Sequence, residues 1–173
     1  MDVTPLFAAD TGWGWSVAGL VAVPLLVALN GFFVAAEFAL VAVRKTRVEE
    51  LVGQGVRRAR AVWEAVTHLD RSIAATQLGI TLASLALGWV GEPALAVLVE
   101  PVAAAAVPAA WAGAVTHSVA FAVAFTLITF MHVVFGELIP KTMALQTPDR
   151  TALWVAAPLL LFIRLTRPAA APG

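Results

Sequence analysis

The sequence predicts an all-α, polytopic membrane domain with three transmembrane helices, short cytoplasmic helices and an interfacial belt helix. Composition is the first reason: 61% of the residues are hydrophobic, 13% are charged, and the mean hydropathy is +0.89, well outside the range of soluble globular chains. The second is the run of charge-free tracts at 11–36, 72–91 and 101–136, each able to supply the roughly 20 apolar residues that a spanning helix needs. The third is the placement of Lys and Arg, with seven between Arg44 and Arg71, four from Lys141 onward and none elsewhere. A chain of 173 residues has room for one membrane domain, 1–173, and not for a separate soluble one. It contains no cysteine, which excludes disulfides and thiolate metal sites, so any metal must be held by oxygen or imidazole.

The spans fall at about 14–43, 72–91 and 115–137. The basic 44–71 connection is expected in the cytoplasm, which orients the chain in a cell membrane with its N-terminus outside and its C-terminus cytoplasmic. No basic stretch precedes the first tract, so it reads as a retained helix rather than a signal peptide. Over about 45–68, Val48, Leu51, Val52, Ala59, Val62, Trp63 and Val66 recur at helical spacing among charges, predicting an amphipathic helix on the inner membrane face. Such a helix fixes topology by its charge, or it binds lipid or a partner. The outer connection at 92–114 carries Pro93, Pro101 and Pro108 and is expected to form short helical pieces. Only thirteen residues separate Arg150 from Arg164, and Pro158 interrupts them, so about 150–167 is expected to lie at the interface, with Trp154 at headgroup depth and Arg164 and Arg167 in water. The tail RPAAAPG carries no order signal, and a cytoplasmic portion beyond it is expected to be absent.

Polar groups within apolar spans face a cavity or a neighbouring helix, because exposure to lipid is costly. The first span has Asn30 and Glu37, seven residues apart on one helical face. The second has Gln77, Thr81, Ser84 and Gly88, and the third Thr126, Thr129, His132 and Glu137. Stripes of Ser, Thr and Gly in membrane helices more often make packing surfaces than ligand sites, and a single histidine is more often a satisfied interior group than a ligand. Asn30 either caps a break at Gly31 or joins an interhelical hydrogen bond. Glu37 and Glu137 point to function by default as ionisable groups at membrane depth, although Glu137 and Lys141 have the spacing of an ordinary ion pair.

The third span closes on HVVFGELIPK, residues 132–141. Pro140 has no N–H, so in a continuing helix the Gly136 carbonyl four residues earlier loses its partner. Gly136 also lets other groups approach the backbone closely. An unpaired carbonyl beside the Glu137 carboxylate is the kind of oxygen pair that holds a hard cation in a discontinuous transporter helix, with Pro140 as the helix breaker.

Three stretches, LNGFFVAAEFALVAVRKTRVEEL, QLGITLASLALGWVGEP and HVVFGELIPKTMALQ, resemble in order and spacing the signature segments of the transmembrane domain of the CorC/cyclin M magnesium transporters, also called hemolysin-like proteins. The resemblance runs from about residue 15 to 167. It implies a homodimeric three-span domain with a belt helix and a Mg2+ site open to the cytoplasm, Na+-coupled export, and a cytoplasmic CBS-domain pair that this chain is expected to lack. The glycine and acid of the motif fall on Gly136 and Glu137, with Pro140 and Lys141 behind them. Ser84, in GITLAS, stands where many relatives have an asparagine. Relatives often carry a serine two or three residues before the first acid, but this chain reads Val34, Ala35, Ala36 and then Glu37, a place that a backbone carbonyl or a retained water could fill.

The expected metal set is therefore Glu137, Gly136 and Ser84, with Asn30, Glu37 and Thr81 as further ligands or organisers. The expected function is Mg2+ transport, as export, through a central cation site built from polar residues of three helices, with Na+ as a second ion, no enzyme activity and no nucleic-acid partner. The alternative is a non-transporting membrane anchor or Mg2+ sensor whose activity lies in a missing cytoplasmic part.

Overall fold

The structure, a computed structural model, describes residues 13–106 and 114–166. Helix α1 covers Trp13–Ala42, α2 Lys45–Gly53, α3 Ala59–Thr67, α4 Leu69–Ala106 and α5 Ala114–Met131. A π-helical segment, His132–Leu138, follows α5 directly, and α6 (Ile139–Gln146) and α7 (Pro148–Thr166) complete the order. The described residues contain no strand. Three stretches, Gly19–Ala42, Leu69–Ala105 and Val115–Gln146, are long and apolar enough to cross a membrane. The chain is an all-α membrane protein.

Two connections differ from the expectation. The amphipathic stretch over 45–68 is divided into α2 and α3. Gly55 has a φ of 75°, the left-handed conformation that glycine adopts without a Cβ penalty. The Gly55 N–H donates to the Val52 carbonyl at 3.0 Å and the Val56 N–H to the Leu51 carbonyl at 3.1 Å, the double closure that ends many helices at a glycine. The outer connection shows the opposite. Pro93 and Pro101 both lie inside α4, which runs on where shorter pieces were expected. Each proline removes one N–H, whereas a full break would leave several backbone groups without intrahelical partners, so a continuous helix loses less. Pro108, the N-terminal residues 1–12 and the tail 167–173 lie outside the described residues.

Two compact units share these helices, one made of the chain up to Leu26 with Leu85–Met131, the other of Val27–Ser84 with His132 onward. Small residues pack the first. A Cβ on Gly19 would collide with that of Ala94, and one on Gly91 would come within 3.2 Å of both Ile128 and Val23. Among the described residues the Thr116 hydroxyl is buried without a hydrogen-bond partner, and exposed His117 lies 3.9 Å from Glu100.

The second unit holds a continuous core that includes Phe33, Leu40, Val48, Val62, Leu159 and Ile163. Helix α7 buries Ala152, Val155, Ala156, Leu159 and Ile163 and packs on α3 and α6. Ser72 ties the start of α4 to α3, its hydroxyl donating to the Ala65 carbonyl at 2.9 Å. At the surface Arg47 reaches Glu50 at 2.8 Å and Asp149 at 3.5 Å, exposed pairs that contribute little to stability.

Candidate functional site

The π segment determines the local geometry. Its wider turn accommodates the proline register problem without interrupting the helix, and Pro140 falls in the first turn of α6, where its missing N–H is least costly. The Gly136 carbonyl still has no donor at residue 140. Asn30 supplies one from α1: its Nδ2 donates to the Gly136 oxygen at 2.9 Å, and Asn30 is 1% exposed. Of the two roles open for Asn30, the interhelical hydrogen bond is the one formed.

The other end of the same amide continues the network. Asn30 Oδ1 can only accept, and the Ser84 hydroxyl donates to it at 3.2 Å. The Ser84 oxygen also lies 3.2 Å from His132 Nε2, and with its one proton given to Asn30 it accepts this bond in the Nε2–H tautomer of the ring. Helices α1 and α4 and the π segment are thus joined by four residues, Gly136, Asn30, Ser84 and His132. His132, read from sequence as a satisfied interior group, has that character here.

Glycines make the approach possible. A Cβ on Gly31 would lie 2.9 Å from Pro140 Cγ and 3.2 Å from the Phe135 carbonyl. One on Gly136 would lie 3.1 Å from the His132 ring and 3.2 Å from Asn30 Nδ2. One on Gly79 would meet the Phe33 ring at 2.5 Å. Gly31 and Gly79 were not singled out from the sequence as site-forming. Their signal is weak but present, since Gly31 follows the one asparagine in its span and Gly79 lies five residues before Ser84.

The remaining expected residues stand apart from this network. Glu137 is exposed and Glu37 half-buried, and neither carboxylate has a hydrogen-bond or ion-pair partner among the described residues. The Glu137–Lys141 pair is not formed; Lys141 Nζ lies 4.6 Å from the centroid of the Phe38 ring, a cation–π placement. Exposed Thr81 donates back to the Gln77 carbonyl of its own helix at 2.8 Å. Thr126 does likewise with Ala122. The buried face of α4 passes through Ser72, Thr76, Gly79 and Ala83, so the expected Gln77, Thr81, Ser84 stripe is mostly turned away from it. Among the described residues no three His, Asp or Glu side chains converge.

Chemically, the cluster offers neutral oxygens, the Gly136 carbonyl, the Asn30 amide and the Ser84 hydroxyl, with an ionisable carboxylate on the residue after Gly136. Hard cations take such oxygens, and Mg2+ commonly keeps several waters and uses only one or two carboxylates.

The chain matches the model of the cyclin M transmembrane N-terminal domain over residues 20–172. It is 45% identical over 152 residues to UPF0053 protein YhdT of Bacillus subtilis, covering 88% of this chain and 32% of that protein. It is 40% identical over 150 residues to UPF0053 protein YugS of the same organism, with 86% and 34% covered. The uncharacterized protein Rv1841c of Mycobacterium tuberculosis is 40% identical over 145 residues, with 83% and 40% covered. The chain therefore spans about a third of the length of these two Bacillus subtilis relatives. With the family model covering nearly all of a chain that folds into three apolar membrane-length helices, this protein belongs to the cyclin M transmembrane N-terminal domain family.

Proposed function

We propose that this domain binds Mg2+ and carries it across the membrane by alternating exposure of a site at the π segment. The observation that carries the reading is the meeting of Asn30 and Ser84 with the Gly136 carbonyl, next in sequence to an unpaired Glu137. Ser84 and the Gly136 carbonyl serve as neutral ligands and Glu137 supplies charge. Asn30 holds the cluster, while Glu37 and Thr81 act from outside it or on a rearranged form. Ion release and rebinding require no bond chemistry, so the domain acts as a carrier and not as an enzyme. Export, Na+ as coupling ion, a homodimeric assembly and a cytoplasmic C-terminus complete the proposal. They draw on the family and on the Lys and Arg placement.

A second reading, a membrane anchor or Mg2+ sensor without transport, is favoured by one feature: Asn30, Ser84, His132 and Gly136 satisfy one another as a packing contact does. Glu137→Gln tests the metal site itself because it keeps shape and removes charge, and flux in the unaltered chain separates transport from an anchor or sensor. Calorimetric titration of the purified variant should show Mg2+ affinity at least about tenfold lower, roughly 1.4 kcal/mol. Proteoliposomes loaded with a Mg2+ indicator should lose flux in parallel. Wild-type Mg2+ affinity in the folded variant would remove Glu137 from the site, and Mg2+ binding without flux in the unaltered chain would establish the anchor or sensor.

A further inference from the structure

We infer that the start of α7, together with the turn before α3, forms a binding site for the phosphate headgroup of an anionic phospholipid. A groove of about 390 Å³ is lined by Val56, Arg57, Arg58, Arg150, Leu153 and Trp154. Three guanidinium groups at one groove repel one another unless an anion lies between them. None of the three has a carboxylate partner among the described residues: the nearby acid Asp149 is taken by Arg47, and Glu64 pairs with Arg164. Arg58 is held instead against an aromatic face, its Cζ 5.7 Å from the centroid of Trp154, which fixes the fork without consuming its donors. Planar, paired N–H donors suit phosphate oxygens.

The surroundings decide where the phosphate comes from. Helix α7 buries one face in the core, and its other face carries an apolar stripe from Arg150 through Trp154 (75% exposed), Ala157, Pro158 and Leu161 to Leu165 (76% exposed), with exposed Arg164 beside it near the C-terminal end. An apolar stripe of that kind on a helix already packed on its opposite side belongs in the hydrocarbon boundary of a bilayer. The groove opens at the basic end of this stripe, at the depth where headgroup phosphates lie and where Trp side chains collect. The ligand is therefore a phospholipid carrying net negative charge, rather than a soluble phosphate or a zwitterionic lipid.

The test uses the full chain in an uncharged detergent. Native mass spectrometry would titrate phosphatidylglycerol against phosphatidylcholine of the same acyl chains, with glycerophosphoglycerol as a soluble competitor. The expected result is one retained phosphatidylglycerol per chain with at least tenfold preference. The preference should fall at least fivefold in Arg57→Gln/Arg58→Gln/Arg150→Gln and less than twofold in the charge-matched control Arg44→Gln/Arg60→Gln/Arg71→Gln. If the triple variant does not fold, Arg150→Gln alone should lower the preference at least twofold. Equal retention of the two lipids, or equal losses in the two triple variants, would reduce the effect to general surface charge and overturn the site. Displacement by glycerophosphoglycerol at concentrations comparable to the lipid would overturn the lipid assignment.

Discussion

The two units are built from the same kind of apolar helix and do different things with it. In the unit containing α5, the helices meet through glycine and alanine, and the one buried hydroxyl with no partner among the described residues, Thr116, sits there. In the unit containing the π segment glycine again allows close approach, at 31 to Pro140 and at 79 to the Phe33 ring, but at 136 it lies against a polar network of amide, hydroxyl, imidazole and backbone carbonyl. Close packing is therefore common to both, and the difference lies in a carbonyl whose α-helical donor Pro140 withholds and to which Asn30 donates. Pro140 leaves the acceptor, and Asn30 answers it.

The largest effect should come from taking away that answer. Asn30→Ala leaves the buried Gly136 carbonyl and the Ser84 hydroxyl short of partners and should lower unfolding stability by about 2–3 kcal/mol, read from thermal or denaturant melts in detergent. A change under about 0.5 kcal/mol would place this amide on a par with the unpartnered Thr116 hydroxyl of the other unit.

Next in size is Gly136→Ala, whose Cβ would crowd the His132 ring and Asn30 Nδ2 at 3.1 and 3.2 Å and should cost about 1–2 kcal/mol. Its counterpart Gly88→Ala, in the other unit, meets nothing within 4 Å and should stabilise its helix by about 0.5–1 kcal/mol. If the two glycines respond alike, close approach at the π segment is not what glycine provides there.

Ser84→Ala removes one link from the middle of the network and should cost about 1 kcal/mol, the scale of hydrogen bonds between membrane helices. The smallest effect is expected at Thr116→Val, between no change and a stabilisation of about 1 kcal/mol, because a buried hydroxyl without a partner has no hydrogen bond to lose. Destabilisation by Thr116→Val comparable to that of Ser84→Ala would erase the distinction between the units.

Much of this was legible in the sequence, for reasons specific to each element. Charge-free tracts of membrane length mark the three spans because the bilayer allows few alternatives, and Pro140 marks Gly136 because the missing N–H is fixed by covalent structure. The partner of that carbonyl was not readable. Asn30 lies 106 residues away, and local periodicity carries no information about which helix faces which. The stripe expected on α4 was offset for a related reason. Thr81 has the polarity of an interior group, but its hydroxyl is satisfied by Gln77 of its own helix, so nothing forces it inward. Proline is a weak stop signal in the outer connection because each removes only one N–H, and α4 keeps Pro93 and Pro101 within one helix.

The central claim, that Asn30 replaces the donor withheld by Pro140, is tested most directly by a double-mutant cycle. Pro140→Ala restores an N–H four residues beyond Gly136, so the carbonyl gains a partner within its own helix. In that background Asn30→Ala should cost at least about 1 kcal/mol less than it does in the unaltered chain, a coupling readily resolved by paired melts. Equal costs in the two backgrounds would show that Asn30 stabilises the protein by some route other than the Gly136 carbonyl, and would contradict the account of the site.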